Sequence, residues 1–238
     1  MKLQKETKTG STASRSDQPE GHGKWYDDAC GTAFAMELVG ERWSLLIIRE
    51  LMLGGRRFSD LRRVLPAISA KVLTERLTGL ESAGVLVKRQ LAPPAPAQIY
   101  ELTEWGYFAE PAIQELGRWA ARSAAHNPRL PLTPVGLMLS LRTMLDREGA
   151  KAFDALVGFD VGGESFVAQL KDGELTITRG DPSTAQVTFH APVAPLIAGA
   201  IYANIPFEEL AGMGLVVDGD RELGKRYFSL FELPPKIG

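Results

Sequence analysis

Residues 66–90, PAISAKVLTERLTGLESAGVLVKRQ, decide the fold. Ser69 stands where a helix N-cap belongs, and Ile68 and Leu73 occupy the two positions of a hydrophobic staple, so a helix is predicted to begin there. Leu73, Leu77 and Leu80 fall on one face of it, Gly84 ends it, and the run Val85, Leu86, Val87 favours a strand. With the leucines turned inward, Ala70, Lys71, Thr74, Glu75 and Thr78 are left for the outside.

On the N-terminal side, Phe58, Leu61 and Leu65 mark a short helix that must stop before Pro66, whose ring disfavours helical geometry in the residue ahead of it. Trp43, Leu46, Ile47, Glu50 and Leu51 recur at helical steps up to Gly54-Gly55. A first short helix runs through Ala33, Met36 and Leu38 between Asp27-Asp28 and Gly40. On the C-terminal side, VLVKRQL and QIYEL read as two strands of a hairpin whose tip, APPAPA, is rich in proline and uncharged. Thr103 then caps a long amphipathic helix carrying Trp105, Phe108, Ala112, Leu116 and Trp119, bent at Pro111. Helix, turn, helix and hairpin in this order make a winged helix-turn-helix, whose second helix fits a DNA major groove about 12 Å wide.

Charge agrees with that use. The 238-residue chain has a net charge of −2, but residues 40–90 hold ten Lys and Arg against five acids, whereas residues 131–238 hold nine against fourteen. Only the first half suits a polyanion. Lys71 and Thr74 are placed to meet base edges, and Ser69 can both cap its helix and touch a phosphate. Arg56, Arg57, Lys88 and Arg89 are assigned to phosphates. Arg76 either reaches DNA or pairs with Glu75 or Glu81. The competing reading of every such charge is a solvated helix face.

HNPRLPLTP at 126–134 breaks the helical pattern. The expected organisation is a flexible polar tail at 1–22, a winged helix-turn-helix at 23–126, a linker at 127–134 and an α+β unit at 135–238. In that last unit a helix through Val135, Met138, Leu141 and Leu145 leads into ALVGFDVG, SFVAQLKDG, ELTITRG and AQVTFHA as strands. VAPLIAGAIY follows as an apolar helix, then PFEEL, a strand at GLVVDGD, and a last helix bearing Leu223, Tyr227, Leu230 and Phe231. The overall class is α+β. The second half has one histidine, no glycine-rich phosphate loop and no clustered metal ligands, so no catalyst, metal or cofactor is expected. Composition is that of a soluble globular protein, 45% apolar and 24% charged. With one cysteine and no long apolar run, the chain reads as cytoplasmic, with no membrane partner.

CGTAFAMELVGERWSLLIIREL, RFSDLRR, SAKVLTERLTGLE and YELTEWG together resemble the HxlR family of winged-helix regulators over residues 25–125. The resemblance implies homodimerisation through terminal helices, binding to double-stranded DNA at a palindrome-like operator, and control of nearby genes. Members of that family often carry a cysteine at the position of Cys30, and some use it to sense oxidants or electrophiles; a packed structural thiol is the alternative, and Asp27 and Asp28 are expected to raise the thiol pKa. Residues 133–232, notably GFDVGGESFVAQLKDGELTITRGDPSTAQVTFHAP, resemble sterol-carrier-type lipid-binding domains. That likeness implies a tunnel for an apolar small molecule or lipid effector, lined by Val193, Leu196, Ile197, Ala200, Ile201, Leu215, Phe228 and Phe231, against the alternative of an ordinary filled core. The expected function is a regulator, a repressor, with an effector-binding or dimer-supporting C-terminal unit. The rival is a lipid- or small-molecule-binding protein whose helix-turn-helix contacts other proteins, which has no need of the basic excess.

Overall fold

A computed structural model describes residues 26–92 and 96–237. The polar tail at 1–22 and the tip residues Pro93, Pro94 and Ala95 of the wing lie outside them. The N-terminal half runs α1 (Gly31–Val39), α2 (Ser44–Leu51), α3 (Phe58–Val64), α4 (Ala70–Ser82), β1 (Leu86–Gln90), β2 (Gln98–Leu102), α5 (Glu104–Tyr107) and α6 (Glu110–Ala121). Leu65 leaves helical geometry at φ −118° and ψ 64°, as a residue before proline should. Leu73, Leu77 and Leu80 are buried against Ile47, Ile48, Leu51 and Leu61. The antiparallel wing pairs Leu86 with Leu102 through Gln90 with Gln98. The long helix expected after Thr103 is instead two: Phe108 and Ala109 separate α5 from α6, because Pro111 needs the first turn of a helix, where no amide is missed.

The second half comprises α7 (Pro134–Met144), α8 (Arg147–Ala150), β3 (Ala155–Val161), β4 (Glu164–Lys171), β5 (Glu174–Arg179), β6 (Val187–Ala191), α9 (Ala194–Tyr202), α10 (Phe207–Ala211), β7 (Val216–Gly219) and α11 (Arg221–Phe228). Its five strands lie in the order β5-β4-β3-β6-β7, with β3 and β6 parallel and every other pair antiparallel. Side chains alternate across the sheet. Val157, Phe159, Phe166, Ala168, Ile177, Val187 and Phe189 are buried under the helices, while Asp160, Ser165, His190 and Asp218 stay on the solvent face. The last helix ends at Phe228, so Leu230 and Phe231 fall past it; Phe231 is nevertheless buried and pairs with Leu145 in an isolated bridge.

The two halves share their interior. Their buried apolar residues form one continuous cluster, and a group of charged residues crosses between them. Arg56, 5% exposed, donates through Nε to the Glu50 carbonyl at 2.9 Å and through Nη2 to Glu164 Oε2 at 2.8 Å. Glu164 also pairs with Arg179, whose Nε donates to the Leu53 carbonyl at 3.0 Å. Thr133 caps α7 and donates its hydroxyl to the buried Glu50 carboxylate at 2.7 Å, so a residue of the expected linker lies inside this contact. Helix α6 is gripped by the second half: Arg142 forms a two-pronged pair with Glu110 at 2.7 and 3.0 Å, and Arg118 donates to the Thr143 carbonyl at 2.6 Å. Lys236 gathers the carbonyls of Ala121 and Ser123, at 2.9 and 3.1 Å, at the C-terminal end of α6, where a cation is favoured.

Gly106 lets α5 lie against the end of α4, since a Cβ there would overlap the Val85 carbonyl. Gly106→Ala is expected to lower unfolding stability by about 3 kcal/mol in urea titrations. Gly117→Ala, in the open on α6, is expected to be neutral or to stabilise by up to about 1 kcal/mol.

Candidate nucleic-acid interface

The side chain of Ser69 accepts the Val72 amide at 3.2 Å and so fixes the start of α4. Three buried leucines hold the helix from beneath. Lys71, with an 86% exposed side chain, stands 3.9 Å from Glu75 and is free to move. Thr74 is exposed and its hydroxyl donates back to the Ala70 carbonyl at 3.0 Å, which leaves the oxygen lone pairs outward. These three residues share the N-terminal end of α4.

The basic residues divide differently from their sequence assignment. Arg56 is not available to phosphate: it is buried and spent on Glu50 and Glu164. Its neighbour Arg57 is exposed at the N-cap of α3. Arg76 has a structural role, but with Glu41 at 3.1 Å and the Arg42 carbonyl at 3.3 Å in place of Glu75 or Glu81, because the turn before α2 passes over its face of α4. On the wing, Lys88 pairs with Glu81 at 2.7 Å, and that hydrogen bond holds its pKa above the ordinary lysine value. Arg89 pairs with Glu101 on the opposite strand at 2.6 Å. Both remain partly exposed; exposed pairs of this kind are worth only about 0–1 kcal/mol and can be exchanged for phosphate. Arg62 and Arg63 of α3 are exposed beside Arg57 and received no role from the sequence. Their only signal was lying outside the Phe58-Leu61-Leu65 stripe.

Away from α4 an apolar face is bare. Trp105, Phe108, Leu116 and Trp119 are 49, 70, 46 and 71% exposed, and Phe34 and Met36 of α1 are exposed as well. An apolar groove of about 250 Å³ runs between α1 and α5–α6.

Cys30 is exposed at the N-cap of α1. The Ala33 amide and then Thr32, at the open start of α1, hold its thiol below the ordinary pKa. This reverses the expectation drawn from Asp27 and Asp28, neither of which is among the groups that shift the thiol.

The eight residues expected to line an apolar tunnel do not line one together. Val193 is 51% exposed and Leu196 is half-buried, whereas Ile197, Ile201, Leu215 and Phe231 are packed in the core. The Phe228 ring stacks on Phe189 at 4.2 Å and fills the space between sheet and helix. Only Ala200 and Phe228 of the set reach a small open cavity of about 280 Å³, whose other walls include Asn204, Glu208 and Lys225. Among the described residues, no group of three or more His, Cys, Asp or Glu is arranged to hold a metal, and no helix is long and apolar enough to cross a membrane.

Comparison with known proteins places the first half. The model of the HxlR-like helix-turn-helix family matches residues 38–128. The uncharacterized HTH-type transcriptional regulator YvaP of Bacillus subtilis (strain 168) is 41% identical over 87 residues, which cover 36% of this chain and 80% of that protein. The HTH-type transcriptional regulator YodB of the same organism is 44% identical over 87 residues, 36% of this chain and 77% of its own. The structure of reduced YodB from B. subtilis matches at 35% identity with a TM-score of 0.38, covering 41% of this chain and 97% of that one. Through residues 38–128 the chain belongs to the HxlR-like helix-turn-helix family of transcriptional regulators.

Proposed function

We propose that the protein is a sequence-specific DNA-binding repressor that acts in the cytoplasm as a homodimer on a palindrome-like operator. The observation that carries this reading is the outward face of α4, where Ser69, Lys71 and Thr74 stand together on a helix held rigidly by Leu73, Leu77 and Leu80. A recognition helix needs such a rigid mount and short polar side chains at its N-terminal end. Lys71 and Thr74 read base edges, while Ser69, Arg57, Lys88 and Arg89 meet phosphates. Arg62 and Arg63 extend the phosphate-facing set.

The dimer forms through the apolar face of α1, α5 and α6. A contiguous patch of that kind on one side of a module is the usual mark of a protein interface. Two-fold pairing there sets the two α4 helices on successive half-sites, one DNA turn of about 34 Å apart. The C-terminal unit, whose five-stranded sheet backed by helices suits the sterol-carrier resemblance, supports the dimer by gripping α6 through Glu110, Arg118 and Lys236. Its filled aromatic core favours this role over an apolar ligand. Cys30 acts as a thiolate sensor of electrophiles on α1, at the edge of the dimer face.

Fluorescence anisotropy with DNA from upstream of the protein's own gene, titrated across salt, tests the regulator reading. The reading predicts tight binding that weakens steeply with salt. Lys71→Ala should relax base preference at one operator position at a cost of about 1–3 kcal/mol, and Arg57→Ala should weaken all sequences alike and reduce the salt slope by about one. Absent or salt-insensitive binding would favour the rival in which the helix-turn-helix meets protein. For Cys30, the pH profile of iodoacetamide alkylation is expected to have its midpoint below that of free cysteine, with more thiolate at any given pH. A midpoint at or above that of free cysteine would remove the sensing role.

A further inference from the structure

The exposed residues of α4 fall on one face of the helix. Lys71, Thr74, Glu75, Thr78 and Ser82 are spaced around that face by three or four residues and are all exposed, while Leu73, Leu77 and Leu80 are buried behind them. Glu75 stands in the middle of the stripe, so a groove that meets Lys71 and Thr74 meets Glu75 as well. It is the one acid of the five. A carboxylate at the centre of a surface turned toward a polyanion works against binding unless a donor on the DNA receives it.

Other acids of the module are already engaged. Glu41, Asp60, Glu81 and Glu101 each lie 2.6 to 3.5 Å from an arginine or lysine nitrogen. Glu75 has only Lys71 Nζ at 3.9 Å, beyond hydrogen-bond length, on a side chain that is itself 86% exposed. A pair so loose and so exposed holds neither partner in place. The Glu75 side chain is 48% exposed, and its carboxylate is open to a donor from outside.

Base edges in the major groove differ in what they offer such a group. Guanine O6 and N7 and thymine O4 are acceptors, which repel a carboxylate; adenine sets its N6 amino group beside the N7 acceptor; cytosine presents its N4 amino group alone. Cytosine is therefore the base that a carboxylate favours. Four residues of helix span about 6 Å, against about 3.4 Å between stacked bases, so this cytosine lies one or two base pairs from the base that meets Lys71. The charge that accepts from cytosine is repelled by sequences lacking it, which sharpens discrimination at the expense of nonspecific affinity.

We propose that Glu75 is a specificity-determining residue that accepts a hydrogen bond from the N4 amino group of a cytosine in each half-site, an assignment that rests on the DNA-binding reading above. Selection of bound duplexes from a randomised pool by the full chain defines the operator. Anisotropy at fixed salt then compares the wild type with Glu75→Ala and Glu75→Gln, base by base, with circular dichroism and thermal unfolding checking that both variants fold. In the wild type, replacing one cytosine of the half-site is expected to weaken binding about tenfold or more. In Glu75→Ala that preference is lost, preferences at the other positions stay, and binding to unrelated DNA tightens. In Glu75→Gln the preference moves to adenine, whose N6 and N7 match a side-chain amide; a merely structural role for Glu75 does not produce that exchange. Every base preference intact in both variants, with all sequences bound more tightly by one common factor, would overturn the assignment and leave the regulator reading standing. A chain that enriches no sequence and binds DNA without salt dependence would sink the regulator reading and the assignment together.

Discussion

The carboxylate of Glu50, on α2 and fully buried, is the constraint around which the molecule is organised. Arg49 reaches it at 2.7 Å, the Thr133 hydroxyl at 2.7 Å and Arg56 at 3.5 Å, and Arg56 in turn holds Glu164 of the second half. A buried charge group of this kind adds little net stability compared with apolar packing, but removing one member leaves the others unpaired at a cost of about 3–5 kcal/mol. Its effect is to specify one arrangement. Arg56 also exchanges backbone hydrogen bonds with Tyr100, at 2.9 and 2.8 Å, which ties the wing to the start of α3. One residue thereby fixes the wing, α2 and the C-terminal sheet relative to one another.

Helix α6 is where the second half meets the apolar face on which the proposed dimer is built. Its polar side is held by Arg142, Thr143 and Lys236, while Leu116 and Trp119 project from the other side. A helix gripped on one face and bare on the other transmits the position of whatever grips it. In a dimer built on the bare face, the C-terminal unit sets the angle at which α6, and with it α4, is presented.

Local signals made the first half legible. Ser69, Leu73, Leu77, Leu80 and Gly84 specify α4 within a few turns of chain, and the wing strands follow from their β-branched runs. Arg56 and Arg57 look alike in sequence; that one is buried and the other exposed depends on Glu164, more than a hundred residues away, and no local pattern reports it. Trp43, in left-handed geometry at φ 83°, likewise carries no signal in its own residue type. For Cys30 the sequence offered only nearby carboxylates, whereas the position of its thiol at the open start of α1 is what lowers its pKa. The filled core around Phe228 and the polar outer face of the sheet depend on which side of the sheet the helices cover, which periodicity leaves open for a half-buried strand such as β3.

A double-mutant cycle between Arg56 and Glu164 tests the central claim most directly. Arg56→Met, Glu164→Gln and the pair are compared with the wild type by chemical denaturation followed through tryptophan fluorescence and circular dichroism. The account predicts a single cooperative transition shared by both probes and a coupling energy of about 2 kcal/mol or more between the two sites. Two separate transitions in the wild type, or effects that add to within about 0.5 kcal/mol, would contradict it.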